Sequence, residues 1–248
     1  MKHNQEKEIL EFLEEKQYAT VEELSEKLFI SQSSIRRKLG VLQEKGLVIR
    51  THGGVKILEA NNFVPTFSFR SHLNSNEKKK IALRAISLVK DGDVVFLDGS
   101  TSAFFMAEYL KSFKNLKVIT NGIDTLSLLS KNKIDAYSTG GRISDTNRSA
   151  LVGQIALNTV KNFHADVAFF SAHSVSESGE IYDCFEEENY LRCEMMKNTT
   201  KKVFLCDSSK LGFTSPYKLC SISDVDCFIS DKDISSFFTI KTLPKIIY

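Results

Sequence analysis

The 248-residue chain has no tryptophan and only three prolines. With no low-complexity tract, and a composition 42% hydrophobic and 26% charged, it is neither a proline-rich nor a disordered polypeptide. Long apolar runs are also missing. Val94–Leu97 and Val167–Phe170 are among the longest and fall far short of a membrane span, and the first eight residues, Met1-Lys-His-Asn-Gln-Glu-Lys-Glu8, carry no apolar signal region. A cytoplasmic protein with no membrane partner is expected. The five cysteines, Cys184, Cys193, Cys206, Cys220 and Cys227, form no C-x-x-C pair, and the histidines lack metal-ligand spacing. Reduced thiols filling core space are expected, with no metal and no cofactor. His164 and His173 read as structural. Gly99-Ser-Thr-Ser-Ala103 is not a G-x-S-x-G nucleophile elbow, and no Walker-type phosphate loop occurs.

Charge is present but sorted. Residues 1–31 hold four lysines against eight glutamates, a net of −4. Residues 32–58 hold Arg36, Arg37, Lys38, Lys45, Arg50 and Lys56 against Glu44 alone, a net of +5. A local basic block suits a polyanion-binding surface whatever the total charge.

The apolar spacing around that block predicts three helices and a hairpin. The first helix runs from about Asn4 to Lys16, with Ile9, Leu10 and Leu13 on one face. Thr20-Val-Glu-Glu23 is a capping box opening a second helix. Ser31 caps a third, from Gln32 to about Lys45, whose Ile35, Leu39 and Leu42 share a face and whose C-terminus falls at Gly46. Leu47–Arg50 and Val55–Leu58 read as strands around the turn Thr51-His-Gly-Gly54. On the third helix Ser33 and Arg37 point away from the apolar face, with Arg36 and Lys38 on the flanks. Small hydroxyls and guanidinium groups so placed suit base edges and phosphates in a major groove, and Arg50, His52, Gly53 and Gly54 would lie on a wing.

The stretch Ser31-Gln-Ser-Ser-Ile-Arg-Arg-Lys-Leu39, followed by Leu42, Gly46, Leu47, Arg50 and His52-Gly-Gly54, resembles the N-terminal signature of DeoR-type regulators. The chain departs from that signature at Lys38, where aspartate is usual, and at Ser34, where threonine is usual. Lys38 adds positive charge beside the groove-facing surface. The resemblance implies a double-stranded DNA operator as partner, read by Ser33, Ser34, Arg36, Arg37, Lys38, Arg50, His52, Gly53 and Gly54. Paired half-sites imply a homodimer or higher homo-oligomer.

Residues 59–76, with Pro65 and the interleaved Phe63, Phe67 and Phe69, are expected to connect a 1–58 DNA-binding domain to a 77–248 domain. From Glu77 onward strands and helices alternate, which predicts a mostly parallel sheet covered on both faces with ligands at the carboxyl ends of its strands. Four polar turns fall at such ends: Asp98-Gly-Ser-Thr-Ser102, Thr120-Asn121-Gly122, Gly140-Gly141-Arg142 and Asp207-Ser-Ser-Lys210. Each is about as consistent with a helix cap as with a ligand contact; together they favour a site. Lys210 and Arg142 offer cations, and Asp98 and Asp207 offer hydroxyl acceptors.

These stretches, with Glu77-Lys78, Asp91-Gly92-Asp93, Gly153, Gly179, Glu187 and Arg192, are similar to the effector domain of the same family, a Rossmann-like α/β fold similar to ribose-5-phosphate isomerase. The implied architecture is a winged helix-turn-helix followed by that domain. A phosphorylated sugar or related metabolite is the implied effector. Its candidate contacts are Asp98, Gly99, Ser100, Thr101, Ser102, Asn121, Gly140, Gly141, Arg142, Glu187, Asp207 and Lys210, and its binding would release the protein from DNA. Ser100, Ser102, Ser171 and Ser174 depart from the family pattern, three of them at positions normally held by glycine. Two rival readings stay open: an isomerase-like enzyme using Asp98, Glu187 or Asp207 as its base, and a domain that serves only as an oligomerisation scaffold.

Overall fold

The computed structural model describes residues 5–16, 18–44, 47–51, 54–57, 67–240 and 242–248. Gly46, His52, Gly53 and residues 58–66 lie outside them. The chain divides into two units, Met1–His72 and Leu73–Tyr248.

In the first unit α1 (Gln5–Lys16) leads through β1 (Tyr18–Thr20) to α2 (Val21–Leu28) and α3 (Gln32–Glu44). The hairpin of β2 (Val48–Thr51) and β3 (Gly54–Ile57) follows, and then α4 (Phe67–His72). Helical spacing brings Ile9 and Leu13 of α1, Leu24 of α2, and Ile35, Leu39 and Leu42 of α3 into one core with Ala19, Leu47, Val48 and Val55. Leu10, Val21 and Leu28 pack at its margin. The strand β1 is not foreseen from the sequence, because three residues do not complete two side-chain alternations. It pairs antiparallel with β3, Tyr18 opposite Lys56, so the sheet order is β1-β3-β2. The Tyr18 ring and the Ala19 carbonyl fill the space that a Cβ on residue 54 would need, and only glycine fits there.

The capping box is formed: the Glu23 N–H donates to Thr20 Oγ1 at 3.1 Å, and the Thr20 N–H donates to Glu23 Oε2 at 2.8 Å. At the other end of the supposed connector, residues 67–72 and 75–76 are helical, and Phe67 is buried.

The second unit contains α5 (Ser75–Ala85), β4 (Val94–Leu97), α6 (Thr101–Phe104), β5 (Lys117–Thr120), α7 (Ile123–Lys131) and β6 (Asp135–Ser138). A short hairpin, β7 (Arg142–Ile143) and β8 (Leu151–Val152), precedes α8 (Gln154–Lys161), β9 (Ala165–Phe170), β10 (Ser174–Val175) and β11 (Glu180–Asp183). The chain continues through α9 (Glu186–Lys197), β12 (Thr199–Cys206), β13 (Tyr217–Ser221), β14 (Cys227–Ser230) and β15 (Lys245–Ile247). Seven strands form one parallel sheet in the order β15-β14-β12-β9-β4-β5-β6.

Alternation along the strands divides the core. Val95, Leu97, Val118, Val167, Phe169, Val203 and Leu205 cluster with Ile81 of α5, Ala103 of α6 and Leu129 of α7. Phe96, Ile119 and Ala168 cluster with Ala156 and Val160 of α8 and with Leu191 and Met195 of α9. Phe170, Phe204 and Phe228, on adjacent strands, stack edge to face or tilted with centroids 5.5 and 5.2 Å apart. They pack with Val175, Ile181 and Cys220 of a small antiparallel sheet, β10-β11-β13. The predicted alternation holds for the main strands. The small sheet and the β7–β8 hairpin are additions, and the helix expected near 149–162 begins only at Gln154 because Leu151 and Val152 pair with β7. Because β4, β5, β6 and β12 run parallel, the four polar turns that follow them occupy one rim.

Thr20→Ala removes the side-chain acceptor of the Glu23 N–H and leaves the bond from the residue 20 N–H to Glu23 Oε2 in place. It should lower the stability of α2 by about 1 kcal/mol, seen as roughly fivefold faster amide exchange across Val21–Leu28.

Candidate nucleic-acid interface and effector site

On α3 the buried stripe of Ile35, Leu39 and Leu42 turns the opposite face outward. Ser33, Arg36 and Arg37 are exposed, while Ser34 and Lys38 lie half-buried on the flanks. Ser31 caps the helix, its Oγ accepting from the Ser34 N–H at 3.4 Å, and its hydroxyl lies 3.1 Å from those of both Ser33 and Ser34. Arg36 Nη2 donates to Gln32 Oε1 at 3.1 Å, one turn back. Arg50 is exposed on β2. Gly54 lies buried beneath Tyr18, and His52 and Gly53 fall outside the described residues. The first unit thus offers a hydroxyl-lined helix start, exposed guanidinium groups and a neighbouring hairpin, the parts that phosphate and base-edge contacts require.

The rim of the second unit is organised around Arg192. Its guanidinium is buried and donates through Nε to Asp98 Oδ2 at 2.8 Å, through Nη1 to Asp183 Oδ2 at 3.2 Å and through Nη2 to Glu188 Oε2 at 3.2 Å. Burial alone would favour the neutral form, but Asp183, Asp98 and Glu188 together outweigh it and hold the group protonated well above its ordinary range. Glu188 also accepts from Asn147 Nδ2 at 2.8 Å, and Asp183 Oδ1 accepts from the N–H groups of Cys184 and Phe185 at the start of α9. Both carboxylate oxygens of Asp98 are engaged: Oδ1 receives the Ser100 N–H at 3.1 Å, and Oδ2 receives Arg192 and the Ser171 N–H.

Ser171 links this hub to the turn after β12. Its Oγ accepts from Lys210 Nζ at 2.7 Å and donates to the Leu205 carbonyl at 2.6 Å. Lys210 Nζ also donates to the Ala172 carbonyl at 2.9 Å and lies 4.0 Å from Asp207. Burial tends to raise the Asp207 carboxyl. Lys210, a hydrogen bond from Ser209, Lys78 and a bond from Asn74 overcome that and keep it below the usual carboxylate range. Arg142 is paired elsewhere, with Glu187 Oε2 at 2.7 Å and Asp145 Oδ2 at 3.0 Å, in a half-exposed cluster beside the β7–β8 hairpin. Gly140 and Gly141 hold φ of +64° and +98°; at Gly141 a Cβ would collide with the Val152 carbonyl.

Between these groups lies a set of uncommitted polar atoms. Among the described residues, Ser102 Oγ, Asn121 Oδ1 and Thr125 Oγ1 are buried with no hydrogen-bond partner. Asn121 is oriented by its own Nδ2, which donates to the Leu151 carbonyl at 3.2 Å. Gly99 and Gly122 pack beside it without side chains. A Cβ on Gly99 would lie 3.3 Å from Asn121 Nδ2, and one on Gly122 would lie 2.9 Å from Thr125 Oγ1. Ser100 is spent as the cap of α6, accepting from the Ala103 N–H at 3.2 Å.

Thus Asp98, Ser100, Lys210 and Asp207 are joined through Ser171 and its neighbours, and Asn121 lies against Gly99. Arg142 and Glu187 form a separate pair. From the sequence, Arg192 stands out only as a matching position and Ser171 only as a departure from the family pattern, while Asp183, Glu188 and Thr125 do not stand out at all. The available signal was the placement of Glu188 and Arg192, four residues apart, on the same stripe of α9 as buried Leu191 and Met195.

A helix-turn-helix unit with a basic outward face, joined to a parallel α/β unit with a polar rim, defines a DNA-binding regulator that carries a sensor domain. Residues 6–61 match the family model for the DeoR-like helix-turn-helix domain, and residues 73–232 match that for the DeoR C terminal sensor domain. The chain belongs to the DeoR family of HTH-type transcriptional regulators. It is 34% identical to the transcriptional regulator GolR of Listeria innocua, over 92% of this chain and 89% of that one. It is 33% identical to the transcriptional repressor GlcR of Bacillus subtilis, over 90% and 86% of the two chains. With the L-fucose operon activator of Haemophilus influenzae the identity is 30%, over 91% and 90%. Among solved structures, ribose 5-phosphate isomerase A of Methanocaldococcus jannaschii aligns with 56% of this chain and 55% of its own at 21% identity. Its TM-score of 0.42 is too low to bear on function. No described helix is long and apolar enough to cross a membrane.

Arg192→Met keeps the length of the side chain but leaves Asp98, Asp183 and Glu188 buried without a cation. The expected cost is about 3–5 kcal/mol at pH 7 in denaturant unfolding. An unchanged midpoint would mean that the hub does not hold the rim together.

Proposed function

We propose that this regulator represses genes of carbohydrate metabolism and leaves its operator when a phosphorylated sugar binds the rim of the second unit. The observation that carries the effector reading is the trio of buried, unpartnered atoms Ser102 Oγ, Asn121 Oδ1 and Thr125 Oγ1 in the segments that follow β4 and β5, the last two beside Gly99 and Gly122. Buried polar atoms are rarely left without a partner, and a polyhydroxylated ligand supplies the partners these lack. Lys210, anchored at the edge of the same rim, offers the cation that a phosphate group needs. In this reading Asp98, Gly99, Ser100, Thr101, Ser102, Asn121, Asp207 and Lys210 form the site or its wall. Gly140, Gly141, Arg142 and Glu187 close it from the β6 side.

On the DNA side, Ser33, Ser34, Arg36, Arg37 and Lys38 enter the major groove while Arg50, His52 and Gly53 meet the backbone from the wing, and Gly54, buried beneath Tyr18, supports the hairpin instead. A homodimer or higher homo-oligomer reads paired half-sites, since one such helix buries too little surface for specificity. The relative GlcR is named a repressor and the Haemophilus relative an activator, so the sign of regulation is set by experiment.

Two measurements test the two halves. Arg37→Ala should abolish sequence-specific gel shift of a duplex selected by the wild-type protein; retained affinity would remove α3 from the interface. A panel of aldose and ketose phosphates should contain one that raises the melting temperature and releases the DNA without being converted. Turnover would favour an enzyme, and no stabilisation by any member would favour a scaffold.

A further inference from the structure

Phe29 is 96% exposed, and its backbone lies in the left-handed region at φ 54° and ψ 41°. Both features have one local origin. At the end of α2 the N–H groups of Phe29 and Ile30 both donate to the Ser25 carbonyl, the latter at 3.1 Å, and Ser25 Oγ donates to the Ile30 carbonyl at 2.6 Å. These bonds close the helix in the manner that ordinarily places glycine at the left-handed position. Ile30 turns inward and packs against the core, so residue 29 is thrown outward. A bulky side chain is unfavourable in this backbone region, and an isolated phenyl ring in water gains nothing from its own domain. A strained, exposed aromatic points to a contact made outside the domain.

Position and chemistry select the contact. Phe29 stands two residues before Ser31, the cap of α3, within about 7 Å of backbone of the helix start. The basic segment begins at Gln32, and the hydroxyls of Ser31, Ser33 and Ser34 cluster there. A protein partner would be met by an apolar patch. Here the residues that follow on the outer surface are Ser31, Gln32, Ser33, Arg36 and Arg37, all exposed and polar or charged. A single ring among such groups matches the apolar features of a DNA groove edge, the thymine 5-methyl group and the deoxyribose carbons.

We propose that Phe29 makes an apolar contact with operator DNA at the edge of the groove that α3 reads, and so adds to its affinity. This rests on α3 as the reading helix, which Arg37→Ala tests separately. Asparagine accepts the left-handed conformation, so Phe29→Asn keeps the turn and removes the ring. In the full chain this variant should melt no lower than the wild type. It should bind a wild-type-selected duplex about tenfold more weakly, which is about 1.4 kcal/mol. Because no phosphate contact is lost, the slope of log affinity against log salt should stay at the wild-type value, whereas loss of a phosphate contact would make it shallower.

A second duplex with deoxyuridine in place of thymine separates the two sources. If the gap between wild type and Phe29→Asn closes, the contact is a methyl group; if it persists, the contact is the sugar. Wild-type affinity of Phe29→Asn on both duplexes would overturn the proposal, as would a loss accompanied by a shallower salt slope. If Phe29→Asn binds normally while Arg37→Ala does not, only the Phe29 contact fails.

Discussion

The buried guanidinium of Arg192 holds three separate segments in one arrangement. Asp98 follows β4, Asp183 ends β11 and Glu188 lies in the first turn of α9, yet all three carboxylates meet the same planar fork. One cation against three anions is not electrically balanced, and all four groups of the cluster are buried. Its persistence therefore depends on the further donors that surround it: the N–H groups of Ser100, Ser171, Cys184 and Phe185, and the amide of Asn147. Through Ser171 the same arrangement fixes Lys210. Rim geometry is thus set by a network that uses its own hydrogen-bonding capacity almost fully.

That saturation changes what each rim residue is able to do. Asp98 looks like a hydroxyl acceptor when only its place after a strand is considered, but its oxygens already receive three donors, and its contribution is to shape the turn. The idle capacity lies instead on neutral groups, Ser102, Asn121 and Thr125. Neutral groups impose little selection on net charge and much on the positions of hydroxyls, whereas Lys210 is a charged element of the same rim. Discrimination among sugars would then fall to the neutral atoms and attraction of the anion to the lysine.

Much of this was legible in the sequence, for reasons that differ by region. Helical spacing at Ile35, Leu39 and Leu42 and the Thr20–Glu23 box determine local structure directly, so α2, α3 and the hairpin are readable. The parallel strands are readable because Val94–Leu97 and Ala165–Phe170 are apolar enough to be buried on both faces. By contrast β1, β7, β8 and β10 have two or three residues each, and their pairing depends on partners far along the chain. The rim turns were locatable by strand order alone. Which of their side chains are committed was not, because that depends on Arg192 reaching across 94 residues to Asp98.

The sorting of charge in the first unit has a kinetic side. Eight of its glutamates lie on α1 and α2, several of them exposed, while Arg36, Arg37 and Arg50 stand on α3 and β2 with Glu44. In the field of a polyanion such a body experiences a torque as well as a pull, because one part is repelled while the other is attracted. Encounters would be oriented before contact, and fewer collisions wasted on the wrong face. The glutamates of α1 and α2, which touch no nucleic acid in any reading of the interface, would thereby act on the association rate. Their influence would fade as salt shortens the reach of the field.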